Sequence, residues 1–224
     1  MLASQGPVRQ NGAMRVYLAG PEVFLANAEA IAAAKKAICA AHGLVGVFPT
    51  DHRPDADGAP IEEHRRIYRL NEAHIRECDA LIANLTPFRG PSADSGTAYE
   101  LGFMRALNRP VLAYTNTTRD FAARTLAHLS AHVRRRGADT WEDEEGMAIE
   151  AFGLADNLML DGGVLASGFA VEREEVAAEE RWRDLTAFTR CVAALAARIK
   201  DAALAEDAGG RSVAASTTSK KGNT

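Results

Sequence analysis

Four short apolar runs, separated by segments with helical spacing, constrain this chain more than any other feature. Residues 14–19 (MRVYLA) end at Gly20-Pro21, the pattern of a buried strand running into a loop. Ile31, Ala34, Ile38 and Ala41 then recur at helical spacing, with Asn27 placed to cap the helix and Gly43 to stop it. A second run, Leu44 to Phe48, enters a Pro/Asp/Gly-rich loop from Pro49 to Pro60. A helix from about Ile61 to Glu77 follows, carrying Ile67, Asn71, His74, Ile75 and Cys78 along one side. Asp79 to Leu85 is the third run, Thr86 to Asp94 a loop, Ser95 to Leu107 a helix, and Val111 to Tyr114 the fourth run. Such alternation predicts an α/β fold, a parallel sheet with crossover helices.

Beyond Tyr114 the spacing predicts a helix around Phe121 to Arg135, a short acidic helix around Trp141 to Phe152, and a tight DNLMLDGG segment. A long helix from about Glu172 to Ala205 carries Val176, Glu180, Leu185, Phe188, Val192, Leu195 and Ile199, enough to dock on the sheet. Residues 1–13 and 205–224 hold almost no branched apolar side chains and no aromatics. They cannot bury enough surface to offset the entropy of ordering, so disordered extensions are expected at both ends of a single domain spanning 14–204. Met14, directly before the first run, is an alternative translation start.

A net charge of −4 supplies no broad positive field for a phosphate backbone, so nucleic acid is not an expected partner. The basic run Arg134 to Arg136, followed by Glu142 to Glu145, reads as a solvated helix-loop-helix surface. Cys39, Cys78 and Cys191 are odd in number and lack C-x-x-C spacing, which argues against a disulfide framework or zinc ribbon and for a reducing compartment. No apolar stretch approaches a membrane span and no secretory h-region opens the chain, so a soluble, cytoplasmic protein is expected.

Ligands of an open parallel sheet bind beyond the carboxyl ends of its strands. The loops there read AGPEVF (19–24) and TPFRGPSADSGT (86–97). Gly20, Gly90, Gly96 and Gly102 fit neither the dinucleotide nor the Walker pattern, and no cofactor is expected. His128 and His132 stand four apart without a third ligand at motif spacing, so no metal site is expected. His52 and Arg53 border the pocket or face solvent. More informative is Asp94 six residues before Glu100. If the helix starts at Ser95, Asp94 caps it and the Glu100 carboxylate leans back over Thr97 and Gly96, where a glycine leaves a hollow. The positive end of the helix favours the ionised carboxylate, which suits an anionic nucleophile. The plainer alternative is a cap and a solvated glutamate.

Tyr17 with Leu18-Ala19-Gly20-Pro21 and Phe24, then Asn71, Cys78-Asp79, DSGTAYELG (94–102) and Asn157-Leu158-Met159 occur in the order seen in one enzyme family. Over roughly residues 14–160 the chain resembles the nucleoside 2-deoxyribosyltransferases. The resemblance implies a flavodoxin-like doubly wound fold and exchange of the base of a 2'-deoxyribonucleoside for another free base. It implies that Glu100 attacks the anomeric carbon, Tyr17 orients that carboxylate, and Asp94 handles the base. Gly20, Phe24, Asn71 and Gly96 are implied to bind substrate. Asn157 and Met159 are implied to reach a neighbouring subunit's pocket, making a homo-oligomer with shared sites. At Asn71 some relatives carry an aspartate, whereas an amide cannot supply a proton. Asp79 is expected at the opposite end of the sheet.

The chemistry accounts for these residue types. Breaking an N-glycosidic bond leaves positive charge at the sugar carbon and negative charge on the base, which a carboxylate on one face and an acid on the other stabilise. Two alternatives stay open: an N-glycoside hydrolase of deoxynucleosides or their 5'-monophosphates, and a non-catalytic nucleotide-sensing module. The 5'-monophosphate reading expects a Gly/Arg-rich loop after the first strand, where this chain places Glu22 and no arginine.

Overall fold

Side chains along each central strand alternate between two buried faces, and that alternation sets the architecture. The computed structural model describes residues 12–51, 62–138 and 140–218, with side chains of the last helix described through 205. Strand β1 (Arg15–Ala19) sends Val16 and Leu18 to one face and Tyr17 and Ala19 to the other. Ile82 and Leu81 divide the same way on β3 (Ala80–Asn84), as do Leu112 and Val111 on β4 (Val111–Thr115). Both faces are therefore apolar, as continuous hydrophobic runs require of strands covered on two sides.

The first face is closed by α1 (Ala28–Ala41) through Ala32 and Cys39, and by α6 (Thr186–Thr218) through Phe188, Val192 and Leu195. The second is closed by α2 (Glu63–Glu77) through Ile75, α3 (Ser95–Ala106) through Leu101 and Met104, and α5 (Leu158–Ala166) through Val164. With β2 (Val45–Val47) and β7 (Glu172–Arg173) the strands run β2-β1-β3-β4-β7, every pair parallel. Strand order reverses between β1 and β3, which sends successive crossover helices to opposite faces and opens a crevice at the carboxyl ends of those two strands. This is the flavodoxin-like, doubly wound fold, in one domain.

The second half departs from expectation. Helix α4 (Phe121–Leu129) ends where Ser130 turns to φ 53°, and the basic run does not continue it. Instead β5 (Val133–Arg135) pairs antiparallel with β6 (Trp141–Asp143), so both the helix to Arg135 and the acidic helix from Trp141 are replaced by a hairpin. Cross-strand chemistry explains it: Arg134 Nε donates to Glu142 Oε1 at 2.6 Å and the Arg135 guanidinium lies 5.4 Å from the Trp141 ring centre. The helix expected from Glu172 starts only at Thr186. Glu172 belongs to edge strand β7, and the Glu172 and Glu174 carboxylates accept from Arg190 at 2.8 and 2.7 Å, which outweighs the local helix propensity of that acidic stretch. At its far end α6 continues to Thr218, into the segment expected to be a tail. The extension 1–11 lies outside the described residues. Cys39, Cys78 and Cys191 are buried free thiols. Among the described residues, no helix is long and apolar enough to cross a membrane.

Candidate active site

Two loops meet at the crevice, held by a buried polar knot. Glu22, in the single 3-10 turn Pro21–Phe24, points inward rather than toward a ligand. Its Oε1 accepts from Lys35 Nζ of α1, from Asn84 Nδ2 of β3 at 2.9 Å and from the Tyr114 hydroxyl of β4 at 3.0 Å. Burial alone would push the Glu22 carboxyl up, but the Lys35 ammonium and hydrogen bonds from Lys35 and Asn84 outweigh it and hold the group below the usual carboxylate range. Gly20 serves this knot, since a Cβ there would come within 2.0 Å of Glu22 Oε2 and 3.0 Å of Asn84 Cβ. It clears room for a carboxylate of its own chain.

The loop before α3 is fixed by a second network. Asp156 accepts from Ser92 Oγ and, at 2.9 Å, from Ala93 N, while Arg124 reaches Pro91 O at 2.7 Å, Ala155 O at 2.7 Å and Asp156 Oδ2 at 3.2 Å. Asp94 then caps α3 through Thr97 N at 3.0 Å. Its Oδ1 takes no hydrogen bond among the described residues.

Glu100 stands in the second turn of α3 and lines the same recess as Gly96. Tyr17, fully buried on β1, donates its hydroxyl to Glu100 Oε1 at 2.6 Å, joining residues 83 apart in sequence. Oε2 is left without a hydrogen bond among the described residues, and Glu100 lines a recess of about 150 Å³ together with Tyr68, Asn71, Glu72, Ile75, Gly96 and Tyr99. Burial pushes the Glu100 carboxyl up to about 7, with the Tyr17 hydrogen bond opposing and the nearby Asp94 charge adding to the rise. The helix terminus does not dominate, contrary to expectation, because desolvation is the larger effect. Tyr17 itself is shifted upward by burial and by Glu100, so it remains a hydrogen-bond donor.

Glu100, Tyr17, Asp94, Asn71 and Gly96 thus converge. Phe24 lies outside the recess, 60% exposed, stacked on Phe88 at 5.5 Å with the Arg89 guanidinium 4.5 Å from the Phe88 centre and 5.4 Å from its own. Asn157 caps α5, accepting from Met159 N at 3.0 Å and donating to Glu150 Oε2 at 2.9 Å, so its amide is engaged within its own chain. Met159 is 73% exposed. Asp79 sits at the opposite end of the sheet, its Oδ2 accepting from Arg15 N at 2.9 Å. His132 follows the end of α4 and its Nδ1 lies 2.6 Å from Glu144, which removes the imagined pair with His128. His52 and Arg53 lie outside the described residues. The sequence reading missed Tyr68, Glu72, Ile75 and Tyr99. A Tyr-x-x-x-Glu spacing within α2 was the visible signal for the first two.

Fold and site together define a doubly wound α/β protein with a tyrosine-held glutamate at the mouth of its central strands. The sequence profile described as nucleoside 2-deoxyribosyltransferase matches residues 16–159, and the chain belongs to that family. An uncharacterized protein of Schizosaccharomyces pombe is 31% identical over 164 residues, covering 68% of this chain and 78% of the relative. Among solved structures, a 2-deoxyribosyltransferase from Leishmania mexicana shares 36% identity over 66% of this chain and 85% of its own, with a TM-score of 0.48. One from Bacillus psychrosaccharolyticus shares 22% over 47% and 74%, with a TM-score of 0.38.

Proposed function

We propose that this protein exchanges the base of a 2'-deoxyribonucleoside through a deoxyribosyl ester on Glu100. The observation that carries the reading is the Tyr17–Glu100 hydrogen bond, which occupies one carboxylate oxygen of a glutamate that lines the recess and leaves the other without a hydrogen bond among the described residues. Oε2 attacks C1', the C1'–N bond breaks and its electron pair leaves with the base, while a proton from Asp94 reaches the departing ring nitrogen. A second base then attacks C1' from the vacated side, the ester electrons return to Glu100, and Asp94 recovers the proton. Two inversions give retention and ping-pong kinetics. Membership of the family and a carboxylate held near neutrality support this reading.

The experiment is direct. Incubated with a deoxynucleoside and a different free base, the protein yields the new deoxynucleoside. Release of free deoxyribose alone at every acceptor concentration overturns transfer in favour of hydrolysis. One observation favours a second reading, hydrolysis of deoxynucleoside 5'-monophosphates: the arginine missing from the first loop is supplied by Arg89 of the second, over Phe24. Faster turnover of the 5'-phosphate than of the nucleoside selects it.

The pH dependence follows from Glu100. Attack needs the ionised form, so kcat/KM for the donor falls about tenfold per pH unit below a midpoint near 7. Tyr17→Phe removes a hydrogen bond that favours ionisation, and the acid limb moves to higher pH. An unmoved limb in the variant contradicts this role for Tyr17.

A recess of about 150 Å³ is smaller than the roughly 300 Å³ at which small-molecule sites usually begin, so other elements complete it. A second copy is the proposed source. Helix α5 leaves Leu158, Met159 and Leu165 exposed, at 42%, 73% and 71%, an apolar face suited to another copy. Light scattering on the full chain reads this as a mass of two subunits or more, and a monomer at assay concentration rejects it. Such a soluble enzyme would act in the cytoplasm on small molecules.

A further inference from the structure

Three consecutive residues before Asp94 are clamped by one buried ion pair. Asp156, fully buried, lies between the loop that leads into α3 and the start of α5. Its Oδ1 accepts from Ser92 Oγ and from Asn157 N at 2.8 Å, and its Oδ2 accepts from Ala93 N at 2.9 Å and from Arg124 Nη2 at 3.2 Å. Arg124, on α4, donates in turn to the carbonyls of Pro91, Arg119 and Ala155. Pro91, Ser92 and Ala93 are each bonded to the pair, and Ser92 O also accepts from Phe88 N at 2.9 Å, closing the loop on itself. On the other side of Asp94, Thr97 N and Thr97 Oγ1 both donate to its Oδ2, at 3.0 and 3.3 Å. Asp94 is held from both directions.

Burying two charges costs desolvation that their attraction repays only with good geometry, so an ion pair of this kind is weak evidence for stability. Position is what this one supplies. Arg124 and Asp156 do not line the recess, yet their contacts with the loop fall on the three residues that aim Asp94. A proton donor works only within hydrogen-bond reach of the atom it protonates, and a misplacement of about 1 Å costs about 10²-fold in rate. Resting on the transferase reading above, in which Asp94 gives its proton to the departing base, we propose that Arg124 and Asp156 are positioning residues that hold Asp94 at the reacting nitrogen, with Ser92 as their tie to the loop.

A double-mutant cycle through Asp94 tests this. Asp156→Asn keeps the shape but replaces an acceptor oxygen by an amino group, which cannot accept from Ala93 N or Ser92 Oγ. In single-turnover base exchange, with the full-length protein in excess over the donor nucleoside, the maximal rate falls about 10²-fold and the half-saturating concentration moves by less than about threefold. In an Asp94→Ser background, where a helix cap is kept and the acid is gone, the same change costs less than about threefold. Ser92→Ala removes one bond and lowers the rate about tenfold, again only while Asp94 is present, and Ser92→Thr, which keeps the hydroxyl, stays within about threefold of the parent. Thermal unfolding reads the folding of each variant, and the Ser92 pair decides the matter if Asp156→Asn does not fold. Losses that multiply in the double variants, or that fall on half-saturation rather than on rate, overturn the proposal and make the ion pair a brace of the fold. A parent that exchanges no base overturns the transferase reading and this inference with it, whereas exchange in the parent with multiplying losses overturns this inference alone.

Discussion

Glu100→Gln is expected to lose base exchange by roughly 10⁴-fold or more while gaining stability above pH 7. The activity loss follows because an amide cannot form the glycosyl ester, and removal of a covalent nucleophile is among the costliest changes an enzyme can suffer. The stability gain comes from the same carboxylate. Its folded-state value of about 7 exceeds its ordinary 4.5, so between those limits the native chain binds more protons than the unfolded one. Stability is then fully present below pH 4.5, falls as the pH rises toward 7, and stays reduced above it. The difference corresponds to about 3–4 kcal/mol. Urea unfolding at pH 8 should place the variant above the parent by that amount, with the two converging at pH 4. Equal stability at both pH values contradicts the assignment of desolvation as the dominant influence on Glu100.

Breaking the buried knot carries the second large effect. Lys35→Met leaves Glu22 without its cation, supported only by Asn84 and Tyr114, in a place with no access to water. Removing one partner of a buried pair costs about 3–5 kcal/mol, a large share of a domain's total stability. The double variant Glu22→Gln, Lys35→Met should recover more than half of that loss, because no uncompensated charge remains buried. Denaturant unfolding of the two variants reads the difference. If the single variant loses less than 1 kcal/mol, or the double loses more than the single, the knot is not a charge-compensated unit. The effect should extend to the site, since Glu22 ties the turn after β1 to the ends of β3 and β4.

The first half of the fold was legible because its strands are buried on both faces. Val16 to Ala19 and Ala80 to Ala83 read as unbroken apolar runs, and Gly20-Pro21 and Gly43 mark their limits. The second half was not, since its strands are short and charged. Arg134, Arg135 and Glu142 suit a helix as well as a hairpin, and only cross-strand pairing decides between them. Edge strand β7 is two residues long, and the partner of its Glu172, Arg190, lies on another element.

The site divides along the same line. Asp94, Gly96 and Glu100 share one helix start, so their juxtaposition follows from spacing alone. Tyr17 entered through resemblance, and the structure gives it a hydrogen bond to Glu100. Glu22 looked like a loop residue facing ligand because nothing in the sequence pairs it with Lys35, thirteen positions away on the next helix. Tyr99 beside Glu100 gave no sign that its hydroxyl turns to α2.

Covalent attachment of the sugar to Glu100 is the claim from which the mechanism follows. A fluorinated deoxynucleoside that forms the intermediate quickly and releases it slowly should leave its pentose on the protein, and proteolysis with mass analysis locates it. The account predicts one added pentose on the peptide containing Glu100, absent from Glu100→Gln and discharged when a free base is supplied. A pentose on any other residue, or an unlabelled protein that still turns over its substrate, contradicts it.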